Sequence, residues 1–323
     1  MRSILTVTVN PALDVTTSVP LLEPQRKLRC GPAVLHPGGG GANVSRAIRE
    51  LGGESRAFIA AGGHTGRQHL DLLRQAGVEC VEFPLDGETR TSMTVMEEKT
   101  GFQYRFVLPG PEQSVSSDEQ LLTALGRAID TETGYVVASG SLLPGMATDF
   151  YARLSGIARS RGARLILDTH GVALRDALPG KPYLIRLNEI EARELAHEAE
   201  RDMPVPELAS ALVRREAAEV VVVGMGERGS LVTSAQGQFS IAAPHVTVHS
   251  MVGAGDSYVA ALTLALSRDW SLEAANRFGV AAAAAAVRRE ATQLCNRHGT
   301  EELFELTGKP VYAAPVAALS AAS

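Results

Sequence analysis

The chain has 323 residues, 45% of them hydrophobic and 21% charged, which suits a globular protein with one large α/β domain or two smaller ones. Its formal net charge of -5 argues against a general nucleic-acid binder. Three widely spaced cysteines (Cys30, Cys80, Cys295) form no metal motif and suggest a reducing cytoplasm, and no apolar run is long enough to span a membrane.

Residues 4–9 alternate like a strand rather than a leader peptide and stop at Asn10-Pro11. A helix is expected over 43–51, ended by Gly52-Gly53, then a strand over 56–61 and a helix over 66–75. Apolar runs at 135–138, 164–167 and 220–223 read as buried parallel strands, with helical stretches at 149–159, 189–198 and 206–215 between them. This alternation predicts a three-layer α/β sandwich, whose ligands gather beyond the carboxyl ends of the strands. The alanine run 281–286 reads as a tightly packed buried helix.

Two segments break the alternation. Residues 16–35 carry short extended stretches and several prolines, and 89–108 read as a hairpin with strands at 93–97 and 102–107 flanking Lys99-Thr100-Gly101. Together they predict a small projecting β-sheet that closes over a substrate or pairs with a second copy. Residues 1–308 are read as the main domain carrying this lid, and 309–323 as a peripheral tail.

Val252-Gly253-Ala254-Gly255-Asp256-Ser257 carries the strongest chemical signal. Small residues before a helix let backbone amides meet a phosphate at the positive end of the helix dipole. A carboxylate beside an anion site repels phosphate, so Asp256 is better placed to take a proton from an attacking hydroxyl. The run Gly38-Gly39-Gly40-Gly41-Ala42-Asn43 offers either ligand-facing amides or a plain loop with an Asn cap. Asp14 suits sugar hydroxyls or a turn, and Lys27, Arg29, Arg90 and Arg105 place four cations on the lid segments, where arginine forks grip phosphate. Ser139 opens a small-residue turn after a strand. Asn188 and Glu191, three apart, present oxygen ligands for hydrated magnesium or form a capping box. Gly224, Gly226 and Gly229 follow a strand and border a nucleotide or simply turn the chain.

In combination, Gly38-Gly39 with Asn43, Asn188-x-x-Glu191 and Gly253-Ala254-Gly255-Asp256 resemble the ribokinase-like PfkB sugar kinases in order and spacing, over nearly the whole chain. Within that family the sequence is similar to the minor-type bacterial 6-phosphofructokinase branch, through Lys27-Leu28-Arg29-Cys30, residues 37–43, Gln103-Tyr104-Arg105-Phe106-Val107 and residues 139–145. Gly40 stands where 1-phosphofructokinases and tagatose-6-phosphate kinases commonly carry lysine.

The resemblance implies ATP and Mg2+, K+ as an optional activator, and fructose 6-phosphate or a related ketohexose phosphate as acceptor. It also implies a homodimer formed through the lid; the net charge and the lack of a membrane-length apolar run speak against nucleic-acid and membrane partners. By carry-over, Asp256 is the base, and Gly253, Ala254 and Gly255 supply amides to the moving phosphoryl group. Asp14, Gly38, Gly39, Asn43 and Ser139 hold the sugar; Lys27, Arg29, Arg90 and Arg105 hold its phosphate. Lys27, Arg186, Asn188, Gly224, Gly226 and Gly229 border the nucleotide, and Asn188 and Glu191 act through Mg2+. The chain departs from the family pattern at Arg186-Leu187 for Lys-Pro, Gly224 for Ser or Thr, Met251 for Thr, and Ala291 for Gly. A 1-phosphofructokinase or tagatose-6-phosphate kinase is the nearest alternative, and a catalytically idle sugar-phosphate sensor the alternative of another class.

Overall fold

The computed structural model describes residues 2–200, 202–290 and 293–313. The chain opens with β1 (Ser3–Thr8), leaves as β2 (Ala12–Val19), and returns through β3 (Val34–Gly38) into α1 (Gly40–Glu50). β4 (Arg56–Ala61), α2 (Gly63–Gln75) and β5 (Glu79–Pro84) form a parallel crossover unit, followed by the hairpin β6 (Arg90–Glu97) and β7 (Gln103–Val107). Helices and strands then alternate: α3 (Val115–Ala128), β8 (Thr133–Ser139), α4 (Phe150–Ser160), β9 (Arg164–Asp168), α5 (Gly171–Ala177), β10 (Leu184–Asn188), α6 (Glu189–Glu194), α7 (Val205–Arg214) and β11 (Val220–Gly224). The chain continues through β12 (Ser230–Ser234), β13 (Gly237–Ile241), α8 (Ala254–Ser267), α9 (Leu272–Val287), α10 (Arg297–Leu306) and β14 (Val311–Tyr312).

The main sheet runs in the order β14-β13-β12-β11-β10-β9-β8-β1-β4-β5. It is parallel from β5 to β11 and antiparallel from β11 to β14. Successive side chains of a strand face opposite ways. Leu5 and Val7 of β1 therefore enter one core with Leu121, Phe150 and Leu154, while Ile4 enters the other with Val44, Val259 and Ala282. Thr6, on that second face, hydrogen-bonds Ser45 of α1 at 2.8 Å. Burial on both faces explains why the central strands read as unbroken apolar runs.

The alanine run lies in α9, packed on α8, with Ala281, Ala282 and Ala285 buried. Small side chains bring these helices close: a methyl group on Gly279 would sit 2.8 Å from the Tyr258 ring. Among the described residues no helix is long and apolar enough to cross a membrane.

The second sheet has the order β3-β2-β6-β7. It starts at Ala12, earlier than expected, so Asp14 is a lid-strand residue and the turn reading of that residue is corrected. Much of 16–35 is irregular, because strand pairing with β2 resumes only at Val34. The helix read over 189–198 ends at Glu194. Val311–Tyr312 joins the main sheet against β13 as an edge strand, while residues 314–323 and Ala291 lie outside the described residues.

Candidate active site

The carboxyl ends of β8 and β9 open under the lid into a cavity of about 280 Å³, the place where open α/β sheets hold ligands. A larger cavity of about 720 Å³ lies at the opposite end of the strands, beside Arg164, Tyr183 and Lys181. Its cations are already engaged, Lys181 with Glu216 and Arg164 stacked 4.7 Å over the Tyr183 ring. It has no helix-start glycine loop among its lining residues, which makes the smaller cavity the candidate site.

Two helix starts converge there. In α1 the backbone ladder begins with Asn43 N–H to Gly39 C=O, and in α8 with Ser257 N–H to Gly253 C=O. The preceding amides have no helical acceptor and carry the positive end of the dipole. Gly39 and Gly253 sit at φ 106° and φ 77°, where a side chain would be strained, and each allows the sharp entry that aims its helix at the cavity. Close approach accounts for their neighbours in the first loop. A Cβ on Gly38 would lie 2.1 Å from Asp14 Oδ2, and one on Gly40 would lie 2.1 Å from Ser139 Oγ.

Asp256 stands in the first turn of α8, half-buried in the cavity wall. Asn43 Nδ2 donates to its Oδ2 at 2.9 Å. Burial first, and then the Asp168 carboxylate, push Asp256 up to about 7, against the opposing Asn43 hydrogen bond and Arg186. Such a value suits a general base near neutral pH. Only the ionised carboxylate accepts a proton, so kcat at saturating substrates is expected to fall as the pH drops through about 7. A pH–rate profile with a flat acid limb down to pH 5 would remove Asp256 from the chemistry.

The lid supplies the opposite wall through Asp14, Arg90 and Arg105. Burial raises Asp14 to about 6, restrained by Arg105, Arg90 and Arg46. Arg90 is braced by the carbonyls of Asn10 and Leu108, both at 3.3 Å. Lys27 and Arg29, by contrast, are exposed on the β2–β3 connection and do not line the cavity, so this chain brings two of the four expected lid cations to it. Ser139 lines it, with Oγ donating to Asp168 Oδ2 at 3.5 Å.

Asn188 and Glu191 form the capping box: Asn188 Oδ1 accepts from Glu191 N–H at 2.9 Å, and Glu191 Oε2 accepts from Asn188 N–H at 2.7 Å. Glu191 lines the cavity and Asn188 does not. Asp168 faces the same space, close enough that its charge helps raise the Glu191 pKa, after burial. Among the described residues no group of three such donors forms a metal cluster, and these two hard oxygen donors would fit a magnesium ion that keeps most of its water.

Arg186 ion-pairs with Asp168 at 3.6 Å, and its guanidinium fills the space that side chains at Gly224 and Gly255 would need, each Cβ falling 3.3 Å from it. The absent side chain at 224 and the arginine at 186 are thus one packing solution. Gly229 has a structural reason, since its Cβ would lie 1.9 Å from the Ile241 carbonyl; Gly226 turns the chain at φ 61°. Neither lines the cavity.

Asp168 and His170, which line the cavity, and Arg46, which faces Asp14 and Asp256, are not among the residues expected from the sequence. Asp168 follows the apolar run Leu165-Ile166-Leu167 directly, a position beyond a buried strand where ligands gather. Arg46 lies three residues after Asn43 on one helix face.

The pfkB family carbohydrate kinase model matches residues 8–298. The chain is 44% identical over 313 residues to the ATP-dependent 6-phosphofructokinase isozyme 2 of Mycobacterium tuberculosis, covering 95% of this chain and 90% of that protein. Phosphofructokinase-2 from Escherichia coli in complex with fructose-6-phosphate has a similar structure, with TM-score 0.87, 36% identity, and coverage of 95% of this chain and 99% of that one. The tetrameric inhibited form of the same Escherichia coli protein gives the same TM-score, 0.87, at 36% identity and the same coverage, 95% and 99%. The chain belongs to the pfkB family of carbohydrate kinases.

Proposed function

We propose that this chain transfers the γ-phosphoryl group of ATP to the C1 hydroxyl of fructose 6-phosphate, forming fructose 1,6-bisphosphate and ADP. The observation that carries the reading is Asp256, held by Asn43 between two helix starts and faced by Arg90 and Arg105. The carboxylate takes the C1 hydroxyl proton as the oxygen attacks phosphorus and ADP leaves. Amides of Gly253, Ala254 and Gly255 neutralise charge on the moving group, since phosphoryl transfer depends mainly on alignment and electrostatics. Asp14, Gly39, Asn43 and Ser139 hold the sugar, and Arg90 and Arg105 take its 6-phosphate. Arg186 borders the donor phosphates; Glu191 and Asp168 would hold a hydrated Mg2+, which would supply positive charge to offset that of the donor phosphates.

The first loop favours this acceptor over those of the lysine-bearing branches. At Gly40 a side chain would collide with Ser139, so the loop of this chain has no room for that lysine. A kinetic panel with fructose 6-phosphate, fructose 1-phosphate, tagatose 6-phosphate and fructose, read as ADP release, tests the assignment. Preference for fructose 6-phosphate supports it; release with none of them overturns it in favour of a sensor.

The lid supports pairing of two copies. Arg105 and Val107 line the cavity, so their neighbours on β7, Tyr104 and Phe106, point the other way, opposite Val95 and Met93. Met93, Tyr104 and Phe106 are 41%, 38% and 48% exposed, an apolar surface that a second copy covers. Phe106→Glu is expected to lower the mass measured by sedimentation to that of one chain; an unchanged mass refutes pairing through this face. The three unpaired cysteines fit a cytoplasmic setting.

A further inference from the structure

Arg46 lies one helical turn beyond Asn43, on the same face of α1. Its Nη1 donates to Asn43 Oδ1 at 3.0 Å and to the Pro37 carbonyl at 3.3 Å. A guanidinium has donors and no acceptor, so it holds the oxygen end of the Asn43 amide. The nitrogen end is thereby turned to Asp256, where Nδ2 donates to Oδ2 at 2.9 Å. The flipped amide would set its oxygen against the carboxylate and its nitrogen against the guanidinium, replacing two hydrogen bonds by two repulsions.

We infer that Arg46 is a positioning residue for Asp256: acting through Asn43, it engages Oδ2, leaves Oδ1 to the acceptor hydroxyl, and ties this arrangement to Pro37 on lid strand β3. The inference rests on the reading of Asp256 as the base. Arg46 acts on it through one intermediate side chain, and that makes the link measurable. Cutting it at either residue has the same consequence, so cutting it twice adds little.

The test compares Arg46→Met and Arg46→Lys in the natural background and in Asn43→Ala, with melting temperatures to confirm folding. Arg46→Met is expected to lower kcat about 10–10²-fold, within the range of acid–base effects, and to leave KM for MgATP within about twofold. Arg46→Lys, which keeps a charged donor, retains most of the turnover. In the Asn43→Ala background the methionine substitution changes kcat less than about threefold. Wild-type kcat in folded Arg46→Met, equal damage from lysine and methionine, or the full loss persisting without Asn43 each overturns the inference. If methionine prevents folding, Arg46→Gln in the same two backgrounds carries the comparison, with loss again expected only where Asn43 is present. Asp256→Asn measured alongside separates the two readings. Near-normal turnover there removes the base, whereas a dead Asp256→Asn beside an unimpaired Arg46→Met removes only the positioning role.

Discussion

Asp256→Asn is expected to lower kcat about 10²–10⁴-fold, the usual worth of a general base, with KM for either substrate changed by less than about threefold. The amide keeps the shape of the carboxylate and can still accept the Asn43 hydrogen bond of 2.9 Å. It cannot take up the acceptor proton. Steady-state kinetics at pH 8 check this, and turnover within tenfold of the natural chain would sink the assignment. The same variant carries an opposite signature in stability. The folded-state pKa of Asp256 is raised to about 7 from 3.8. The folded state therefore favours the proton, and its stabilising preference is fully present below pH 3.8 and lost as the pH rises through 7. Asp256→Asn is uncharged throughout, so it should melt higher than the natural chain at pH 8, with the gap closing in acid.

Arg105→Ala is expected to raise KM for fructose 6-phosphate about 10–10²-fold, the range implied by losing a charge-assisted hydrogen bond of about 1.5–3 kcal/mol. Its effect on kcat should be small, because a non-reacting phosphate contributes mainly uniform binding. Unphosphorylated fructose is the control: natural and variant chains should use it equally poorly. Arg105 is the cleaner choice than Arg90, whose guanidinium also braces the carbonyls of Asn10 and Leu108 and so supports the lid itself. An unchanged KM for fructose 6-phosphate would move the 6-phosphate site elsewhere.

How much could be read from the residues depended on the range of the interactions that set them. Val220–Gly224 and Arg164–Asp168 were legible as buried strands because burial on both faces leaves an apolar run. The helix start at Gly253 was legible from its small residues, whereas α1, expected from Asn43, begins at Gly40 because Gly39 at φ 106° turns the chain earlier, and Asn43 inside the helix bonds Asp256 rather than capping the helix. Asp14 was misplaced because β2 begins only four residues after β1 ends, and strand pairing with His36 and Ser92, not local sequence, decides its conformation. α3 carries its own signals, Asp118 in the first turn and the buried stripe Leu121, Leu125 and Ala128, and is not among the elements expected from the sequence. Lys27 and Arg29 show the limit for charges: nothing local says which way a connection will fold. The Asn188–Glu191 spacing is ambiguous in principle, because a capping box and a pair of oxygen donors on one helix face require the same residues. Asp168 and Arg46 gain their meaning from neighbours far away in the chain, Arg186 and Glu191 for the first, Asp256 for the second.

The helix that carries Asp256 is deeply enclosed: from Ser257 to Ser267 every residue of α8 is buried, and α9 lies against it with alanines and Gly279. Close-packed interiors tolerate little change in volume. The arginines proposed to meet the acceptor ride instead on the thin strands of the lid, where Phe102 in the β6–β7 turn is 64% exposed. On the proposed reading, proton abstraction is tied to a part that tolerates little change in volume, and selection among sugars to thinner, less enclosed strands. Descendants of this chain should drift in diet long before they lose the capacity for the reaction.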